Sequence, residues 1–327
     1  MEQIDYDIDD FKTYCEVKNL SKKTISSYEQ TLRLFAMFLK RECNVKEAGE
    51  VKEIHIREYI KHLQERGKYT VVANENTKKI NFPENRIDYQ KEVSKTTINN
   101  YIRNIKVFFN YMYDNRYINN NPMRRVKQLK NQRKVVGYID DVNMNKLFKC
   151  FDLSKFHEYR DYVIAQLIFD TGMRIGETLL LKETDIDFVK RTILLRADIT
   201  KGKKDRYVFF SAEMLKELKR WLKYKDRYKE SEFVFCTTRG TNLKVSNYET
   251  NFKNYGERIG IKDIHPHMLR NNFAKRFLMS GGDIYTLSKI LGHSSVTVTE
   301  EAYLDLLTED LRIKYQNYSP LLNLKRA

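Results

Sequence analysis

The chain has 327 residues, 41% of them hydrophobic and 13% aromatic, and this apolar content excludes a disordered protein and suffices for two folded domains. Its 60 lysines and arginines outnumber its 44 acidic residues and give a formal net charge of +16, which favours nucleic acid as the partner, although a generally lysine-rich composition would explain part of the excess. The four cysteines form no C-x-x-C pair and no apolar run reaches membrane-spanning length, so we expect no disulfide framework, no metal site and no membrane segment.

The first residues, Met1 to Asp5, are acidic and lack the basic and apolar regions of a signal peptide. We therefore expect a cytoplasmic protein, in the bacterial cytoplasm or nucleoid. The abundance of lysine, asparagine and isoleucine points to an AT-rich bacterial or mobile-element source.

Apolar residues at helical spacing predict four amphipathic helices in the first 120 residues. Four such helices would form a small bundle, and we expect this domain to cover residues 1–120. The predicted helices cover residues 8–41, as a pair divided by a Ser21 N-cap, then about 51–65, and finally Ser94 or Thr96 to Tyr113.

Basic side chains on the polar faces of this bundle are spaced as phosphate contacts would be, although a solvated helix face gives the same pattern. The segments 21–24 and 94–97 would begin helices with hydroxyl and backbone N–H groups that can bind phosphates. The candidate DNA-binding residues are Lys22, Lys23, Lys95, Arg103, Arg124 and Arg125.

Two polar segments interrupt the helical pattern. Residues 68–91 are rich in asparagine and contain Pro83, which is compatible with either a hairpin or a disordered loop. Residues 121–139 follow the helix-breaking Pro122 and carry a run of lysines and arginines. We expect this run to be an interdomain linker positive enough to lie along DNA.

A second domain is expected over residues 140–327. Acidic residues at 140 and 141 suit a helix N-terminus, and the apolar run at 162–169 predicts a buried helix. Gly172 would end this helix and Ile175 would start the next, so Arg174 would project inward from the break.

Alternating residues between Asp185 and Phe210 predict a hairpin with strands at 192–195 and 206–210 and a lysine-rich turn at 201–205. Phe233, Val234 and Phe235 predict a third short strand. A helix around residues 248–259 follows, and the chain ends in an apolar tail that includes Leu307, Leu311, Leu321, Leu322 and Leu324.

The segment from His265 to Tyr303 gathers an arginine, several histidines and a tyrosine. Pro266 sets a helix start, after which His267 and Arg270 stand three apart on one helical face. Gly292 would end a later helix just before His293, and a further helix would lead to Tyr303. Such side chains can hold phosphate oxygens and supply a tyrosine hydroxyl to attack phosphorus.

These residues, in this order, resemble the tyrosine recombinase (phage integrase) family, whose signature is a strand-cleaving tyrosine preceded by an H-x-x-R box and a Leu-Gly-His. Taken singly, each is more often structural: a helix-end salt bridge, a core tyrosine or a chance H-x-x-R. The resemblance covers nearly the whole chain. It implies a mainly α fold with a small antiparallel sheet, in which an N-terminal SAM-like helical bundle precedes a mixed α/β catalytic domain, as in two-domain Xer- or Cre-like recombinases or transposon integrases.

The family's mechanism implies a role for each motif residue. Arg174 and Arg270 would clamp the phosphate, Tyr303 would attack it, and Lys201 would protonate the leaving 5′ oxygen. The neighbouring Lys203 and Lys204 are rivals for the acid. His267 would accept the Tyr303 proton or bond the phosphate, and His293 would donate to a phosphate oxygen. Neither a metal nor ATP is implied.

Two further residues bear on this expectation. Asn271 stands where the family often has a second histidine, which leaves that supporting contact in doubt, and Tyr285 is a nearby rival nucleophile. The resemblance also implies double-stranded DNA as the partner, tetramers on paired sites and a C-terminal tail docked on a neighbour. Because the first predicted helix starts almost at once, we expect that the family's optional N-terminal arm-binding domain is absent. Two alternatives remain: a catalytically silent architectural DNA-binding protein, and strand relaxation like that of a type IB topoisomerase.

Overall fold

The computed structural model describes residues 2–73, 75–130, 137–200, 202–228 and 230–303, with Arg312 and Tyr315; for residues 75–77 and 301–303 it describes the backbone only. The chain divides into two compact units, Met1–Arg133 and Lys134–Ala327. The mainly helical fold with a small antiparallel sheet is confirmed.

The first unit is a helical bundle whose predicted helices are confirmed to within a few residues. Ser21 caps the second of them, because its hydroxyl accepts from the backbone N–H of Thr24 at 3.1 Å, and Ser94 caps the last one in the same way through Thr97 at 3.3 Å. The helices are α1 Gln3–Val17, α2 Lys22–Glu42, α3 Glu53–Glu65, α4 Glu75–Asn81 and α5 Lys95–Asp114.

Aromatic side chains fill the centre of this bundle. Phe11, Phe35, Phe108 and Phe109 are all at most 1% exposed, and each such burial stabilises the fold by about 1.5–3 kcal/mol. The amide of Asn104 on α5 donates to the hydroxyls of Ser27 and Thr31 on α2, which fixes the register of the two longest helices.

The insertion at residues 68–91 forms neither a simple hairpin nor a featureless loop. Its ends are held together, since the N–H of Lys68 donates to the carbonyl of Lys91 at 2.8 Å and that of Gln90 donates back to Lys68 at 3.1 Å. The short helix α4 lies between these ends.

The predicted linker at residues 121–139 begins inside the first unit. Met123 is fully buried in its core, and the side chain of Asn99 makes two hydrogen bonds with the backbone of Leu129, at 3.0 and 2.8 Å. Arg124 and Arg125 are therefore exposed on an anchored segment. Residues 131–136, with Arg133 and Lys134, lie outside the described residues.

The second unit is built around a buried helix, α7, against which α9 and α11 pack. Helix α9 was not predicted from the sequence. None of the helices in the described part of the chain is both long and apolar enough to cross a bilayer. The elements of this unit are α6 Asp141–Lys149, α7 Phe156–Thr171, α8 Ile175–Leu179, β1 Ile186–Asp187, β2 Thr192–Leu195, β3 Arg206–Phe209, α9 Ala212–Lys225, α10 Val245–Arg258, α11 His267–Met279, α12 Ile284–Leu291 and α13 Val296–Tyr303.

The hairpin of β2 and β3 is confirmed, but the third strand is β1, which pairs with β2 in an antiparallel sheet of order β1-β2-β3. The prediction of a strand at residues 233–235 was wrong. Phe233 makes only an isolated bridge to Lys182, and the carbonyl of Val234 accepts from the indole N–H of Trp221 at 2.8 Å. The triplet is apolar because it packs beneath α9, and burial alone does not distinguish a strand from a buried loop.

Candidate active site

The break between α7 and α8 depends on Gly172. This residue has φ +70°, which favours glycine, and a Cβ there would lie 2.4 Å from the ring of Phe273. Two residues later Arg174 occupies the N-cap position of α8, as predicted. Its Nη1 donates to Glu177 at 3.0 Å, and the carboxylate of Glu177 also accepts from the backbone N–H of Arg174 at 3.0 Å.

Helix α11 begins at His267, directly after Pro266, and places Arg270 one turn further on. Arg270 is only 1% exposed, yet its guanidinium is well bonded: Nη1 donates to the carbonyl of Gly172 at 2.6 Å and Nη2 to that of Leu291 at 2.8 Å. A planar fork with fixed donors suits such a site better than a flexible ammonium does. Arg270 is thus held between the end of α7 and the end of α12.

The C-terminus of α12 collects three arginines. The carbonyl of Ile290 accepts from Nε of Arg206 at 3.1 Å, the next one, of Leu291, accepts from Arg270, and that of Gly292 lies 3.5 Å from Nη2 of Arg174. The last carbonyls of a helix have no partner within it and carry partial negative charge, so they attract cations. These three arginines come from widely separated parts of the sequence.

His293 follows this helix end and is held as one tautomer. Its Nε2 lies 3.1 Å from Nη2 of Arg270, and its Nδ1 lies 2.7 Å from the hydroxyl of Thr299. A guanidinium can only donate, so Nε2 accepts and the neutral ring carries its proton on Nδ1, which donates to Thr299. The donation to phosphate expected of His293 would require its ring to take up a proton or to turn.

A cleft of about 560 Å³ lies in front of these residues. Three predicted site residues line it together, namely Arg174, His267 and Arg270. Lys201 lies outside the described residues, and the adjoining Thr200 lines the cleft. The other lining residues are Met173, Ile175, Gly176, Glu177, Leu180, Ile199, Glu249, His265 and Pro266.

Burial, together with the neighbouring positive charges, keeps His267 and His293 neutral at neutral pH. Desolvation, and then the charges of Arg270 and its neighbours, lower the pKa of His267 to about 4 and that of His293 to about 4. For Glu177, burial would raise the pKa, but the hydrogen bonds and charge of Arg206, followed by those of Arg174, bring it below its usual range. Glu177 is therefore an anion beside the arginines at neutral pH.

Tyr303 ends α13, and the structure describes its backbone but not its side chain. Thr299 stands one helical turn before it, so the contact with His293 ties the helix that carries Tyr303 to Arg270. The rival Tyr285 lies on α12 with 59% of its surface exposed, beside the ammonium of Lys289. It does not belong to the cleft lining that the structure describes.

The turn between β2 and β3 places the rival lysines in solvent. Lys203 and Lys204 are exposed, and Lys203 has φ +49°. The hydroxyl of Thr200 accepts from the N–H of Lys204 at 3.2 Å, and the carboxylate of Asp205 accepts from the N–H of Ala197 at 2.6 Å. These bonds brace the turn at its base.

The side chain of Asn271 is buried and donates to the carbonyl of Gly137 at 3.3 Å. It therefore anchors the start of the second unit instead of entering the cleft. In the first unit the DNA-binding candidates are all exposed, and Arg103 also donates to Asn100.

Sequence reasoning did not assign a site role to Glu177, Arg206 or Thr299. Glu177 could have been found, because an acidic residue three positions after a helix N-cap forms a capping box. Arg206 was read only as a strand residue, and nothing local in the sequence indicates that it reaches α8 and α12. Thr299 stands four residues before Tyr303, a spacing that places both on one helical face.

A helical bundle is followed by a mixed α/β unit whose cleft combines two arginines with histidines, and Tyr303 ends a later helix. This combination defines the class of DNA strand-transferring enzymes that attack through tyrosine. The phage integrase family model matches residues 138–310, and the model of a phage integrase N-terminal SAM-like domain matches residues 8–82. The chain belongs to the phage integrase family. It is a tyrosine recombinase, an enzyme of site-specific DNA recombination.

The chain is similar to proteins of this family over its full length. It is 27% identical to tyrosine recombinase XerC of Oceanobacillus iheyensis, over 99% of both chains, and 28% identical to a tyrosine recombinase of Thermosipho africanus, over 89% of this chain and 92% of the other. The crystal structure of XerA recombinase is 25% identical, with a TM-score of 0.51 and coverage of 96% and 99%. The Tn1549 transposon integrase in complex with a circular intermediate DNA shares the fold, with a TM-score of 0.72, 17% identity and coverage of 98% and 100%.

Proposed function

We propose that this protein cuts and rejoins DNA at specific sites through a 3′-phosphotyrosyl intermediate formed by Tyr303. One observation carries the proposal: Arg174, His267 and Arg270 line a single cleft, and His293 connects Arg270 to the helix that ends at Tyr303. These groups come from four separate helices or helix ends, and they converge where a phosphate would need them.

The arginines would supply the electrostatic part of catalysis. A phosphodiester resists nucleophiles because its oxygens are anionic, and the negative charge grows as the attacking oxygen approaches phosphorus. Arg174 and Arg270 carry donors that are fixed by α8 and α12, so binding the transition state would need little reorganisation. Neither can be the acid, since a guanidinium does not release its proton at working pH.

Proton transfer would fall to the histidines and a lysine. His267 is neutral at pH 7, because its pKa is lowered to about 4, so its free ring nitrogen can accept the proton of the Tyr303 hydroxyl or bond the phosphate. We assign the protonation of the leaving 5′ oxygen to Lys201, with Lys203 and Lys204 as rivals on the same turn. Donation by His293 to a phosphate oxygen would require DNA to displace its bond to Arg270 and the ring to take up a proton or to turn.

The reaction exchanges one phosphodiester for another. The bond energy is kept in the phosphotyrosine, and a 5′ hydroxyl from a second DNA strand can reverse the step. Strand exchange of this kind requires neither ATP nor a metal ion.

We propose double-stranded DNA as the substrate, bound by both units. Residues 1–120 would form the core-binding domain, residues 121–139 the basic linker and residues 140–327 the catalytic domain. Lys22, Lys23 and Lys95 adjoin the capped N-termini of α2 and α5, where backbone N–H groups and hydroxyls can meet phosphates. Arg103, Arg124 and Arg125 would extend this surface.

The protein would act as a tetramer on two paired sites in the bacterial cytoplasm or nucleoid, with the C-terminal tail of each copy docked on a neighbour. The tail leucines at 307, 311, 321, 322 and 324 lie outside the described residues. Size measurement on assembled DNA complexes, with and without truncation after Tyr303, tests this part of the proposal.

The decisive experiment begins by selecting bound DNA from a random pool and nicking the enriched duplex near its centre. Incubation with the protein should give a covalent adduct that Tyr303→Phe abolishes and that Tyr285→Phe leaves intact, with DNA binding retained in both variants. Binding without an adduct would instead identify an architectural protein. An adduct without strand exchange between two marked sites would identify a strand-relaxing enzyme.

A further inference from the structure

Arg206 is the first residue of β3 and follows directly on the lysine-rich turn. The cleft lining that the structure describes includes Arg174 and Glu177 but not Arg206. Its side chain is nevertheless only 11% exposed. A charged side chain is rarely so nearly buried unless its charge is paired, so the partners of Arg206 decide what it does behind the cleft.

Arg206 joins three elements, α8 and α12 through its guanidinium and β2 through its backbone. Nη1 and Nη2 donate to the two carboxylate oxygens of Glu177 on α8, at 3.1 and 2.6 Å, and Nε donates to the carbonyl of Ile290 at the end of α12. Its backbone pairs with Leu195 of β2. The residue thus connects the base of the hairpin to both helix ends that hold the clamp.

The charges explain why this connection matters for the cleft. Glu177 is 2% exposed and also bonds Arg174, so without Arg206 the two would form a closed, neutral pair. With Arg206 present, two cations share one anion and the group keeps a net charge of +1, since 2 − 1 = +1. Arg174 then retains positive potential toward an incoming phosphate.

The path of the Arg206 side chain is also fixed by Gly292. A Cβ on Gly292 would lie 2.8 Å from both Cδ and Nε of Arg206, and the φ of +65° at this residue independently favours glycine. The side chain therefore crosses the turn that leads to His293 in contact with its backbone.

We propose that Arg206 is a positioning residue of the cleavage site: by taking up the charge of Glu177 it leaves the Arg174 guanidinium available to the scissile phosphate, and through Ile290 it fixes the end of α12 that holds Arg270 and His293. This inference rests on the proposed function, because it assigns Arg206 a part in that reaction.

The test compares rates of covalent adduct formation on the selected nicked duplex, at saturating full-length protein, for four variants: Arg206→Gln, Arg206→Lys, Glu177→Gln and the double variant of Arg206→Gln with Glu177→Gln. Arg258→Gln is the matched control, because Arg258 makes the same two-pronged contact with a buried glutamate, Glu158, at 2.8 and 3.2 Å. DNA affinity and unfolding by urea are measured for every variant.

Arg206→Gln should slow adduct formation about 30-fold or more while changing DNA affinity less than about threefold. Arg206→Lys, which keeps the charge, should recover part of the rate. The double variant should be at least about fivefold faster than Arg206→Gln alone, because removing the Glu177 charge frees Arg174 again. If the role of Arg206 were merely structural, adding Glu177→Gln would instead lower the rate of adduct formation further.

Three outcomes overturn the inference. In the first, Arg206→Gln forms the adduct no more slowly than Arg258→Gln does. In the second, the double variant is as slow as Arg206→Gln alone, or slower. In the third, the loss of rate follows the loss of stability across all variants. If the wild-type protein forms no adduct, the proposed function fails and this inference fails with it. If the wild type reacts and the Arg206 variants match the control, only the inference fails.

Discussion

Arg270 donates from Nη2 to Nε2 of His293 across 3.1 Å, and this bond determines the state of both residues. It makes Nε2 an acceptor, so the imidazole carries its proton on Nδ1 and donates that proton to Thr299. A continuous line of hydrogen bonds thus runs from the carbonyl of Gly172, through Arg270 and His293, to α13. The helix that carries Tyr303 is coupled by this line to Arg270, which we propose to hold the scissile phosphate.

Removing the Thr299 hydroxyl should therefore slow cleavage. Thr299→Val keeps the shape of the buried side chain but leaves the Nδ1 proton of the half-buried His293 without its acceptor, at a cost of about 1 kcal/mol. We expect adduct formation to fall about tenfold with DNA affinity unchanged, while Thr299→Ser stays near wild type. Nitrogen NMR of His293 should show a shifted Nδ1 resonance in the valine variant, because the Nδ1 proton has lost its Thr299 acceptor while Arg270 still fixes the tautomer. An unchanged resonance together with an unchanged rate would disprove the coupling.

Replacing the clamp arginines should affect the reaction far more than binding. Arg174→Ala and Arg270→Ala are each expected to slow adduct formation by about 100-fold or more, since transition-state contacts of this kind contribute that much. Arg270→Lys should not restore the rate of adduct formation, because an ammonium cannot bond the carbonyls of Gly172 and Leu291 as the planar guanidinium does. Arg276→Ala, on the exposed side of α11, is the control. Equal losses of rate and affinity would argue against the clamp.

A leaving group that needs no proton should identify the acid. If Lys201 protonates the 5′ oxygen, Lys201→Ala should react about 100-fold more slowly than the wild type with ordinary DNA. With a 5′-thio substrate the variant should react at near the wild-type rate. Lys203→Ala and Lys204→Ala should show no such rescue. If one of these variants is rescued and Lys201→Ala is not, the role belongs to that neighbour.

The DNA-free protein should lose stability as the pH falls. The pKa values of His267 and His293 are lowered from 6.5 to about 4, so between these values the unfolded chain binds protons that the folded chain does not. The free energy of unfolding that depends on these two neutral imidazoles is therefore fully present above about pH 6.5. It is lost progressively as the pH falls toward about 4. The urea midpoint should therefore depend less on pH in His293→Asn than in the wild type.

Gly292 should be harder to replace than another glycine with a similar backbone. Gly260 has φ +78° with open space at the Cβ position, so Gly260→Ala should cost only the backbone strain, about 1–2 kcal/mol. Gly292→Ala meets the same strain and also collides with Arg206. We expect Gly292→Ala to lose more unfolding free energy than Gly260→Ala does. Only Gly292→Ala should also slow adduct formation. Equal effects of the two variants would mean that Arg206 moves aside without consequence.

Local chemistry made most helices predictable. Ser21 and Ser94 cap α2 and α5 as expected, Gly172 and Gly292 end α7 and α12, and Pro266 precedes α11. These signals act between residues at most four positions apart, so they can be read from sequence without the fold. The strand at 233–235 was predicted wrongly because apolar side chains report burial, and a loop beneath Trp221 buries them as well as a sheet does.

The sequence by itself determined the family and the order of its motifs, from Arg174 to Tyr303. Only the tertiary structure decided which groups those residues contact: that Arg206 shares Glu177 with Arg174, that His293 accepts from Arg270, and that successive carbonyls of α12 receive the arginines. The partners lie up to 118 positions apart, as for Arg174 and Gly292, and no local pattern encodes a contact over such a distance. Packing brings them together, because each arginine that is withdrawn from water must find an acceptor and the C-terminal end of α12 offers several.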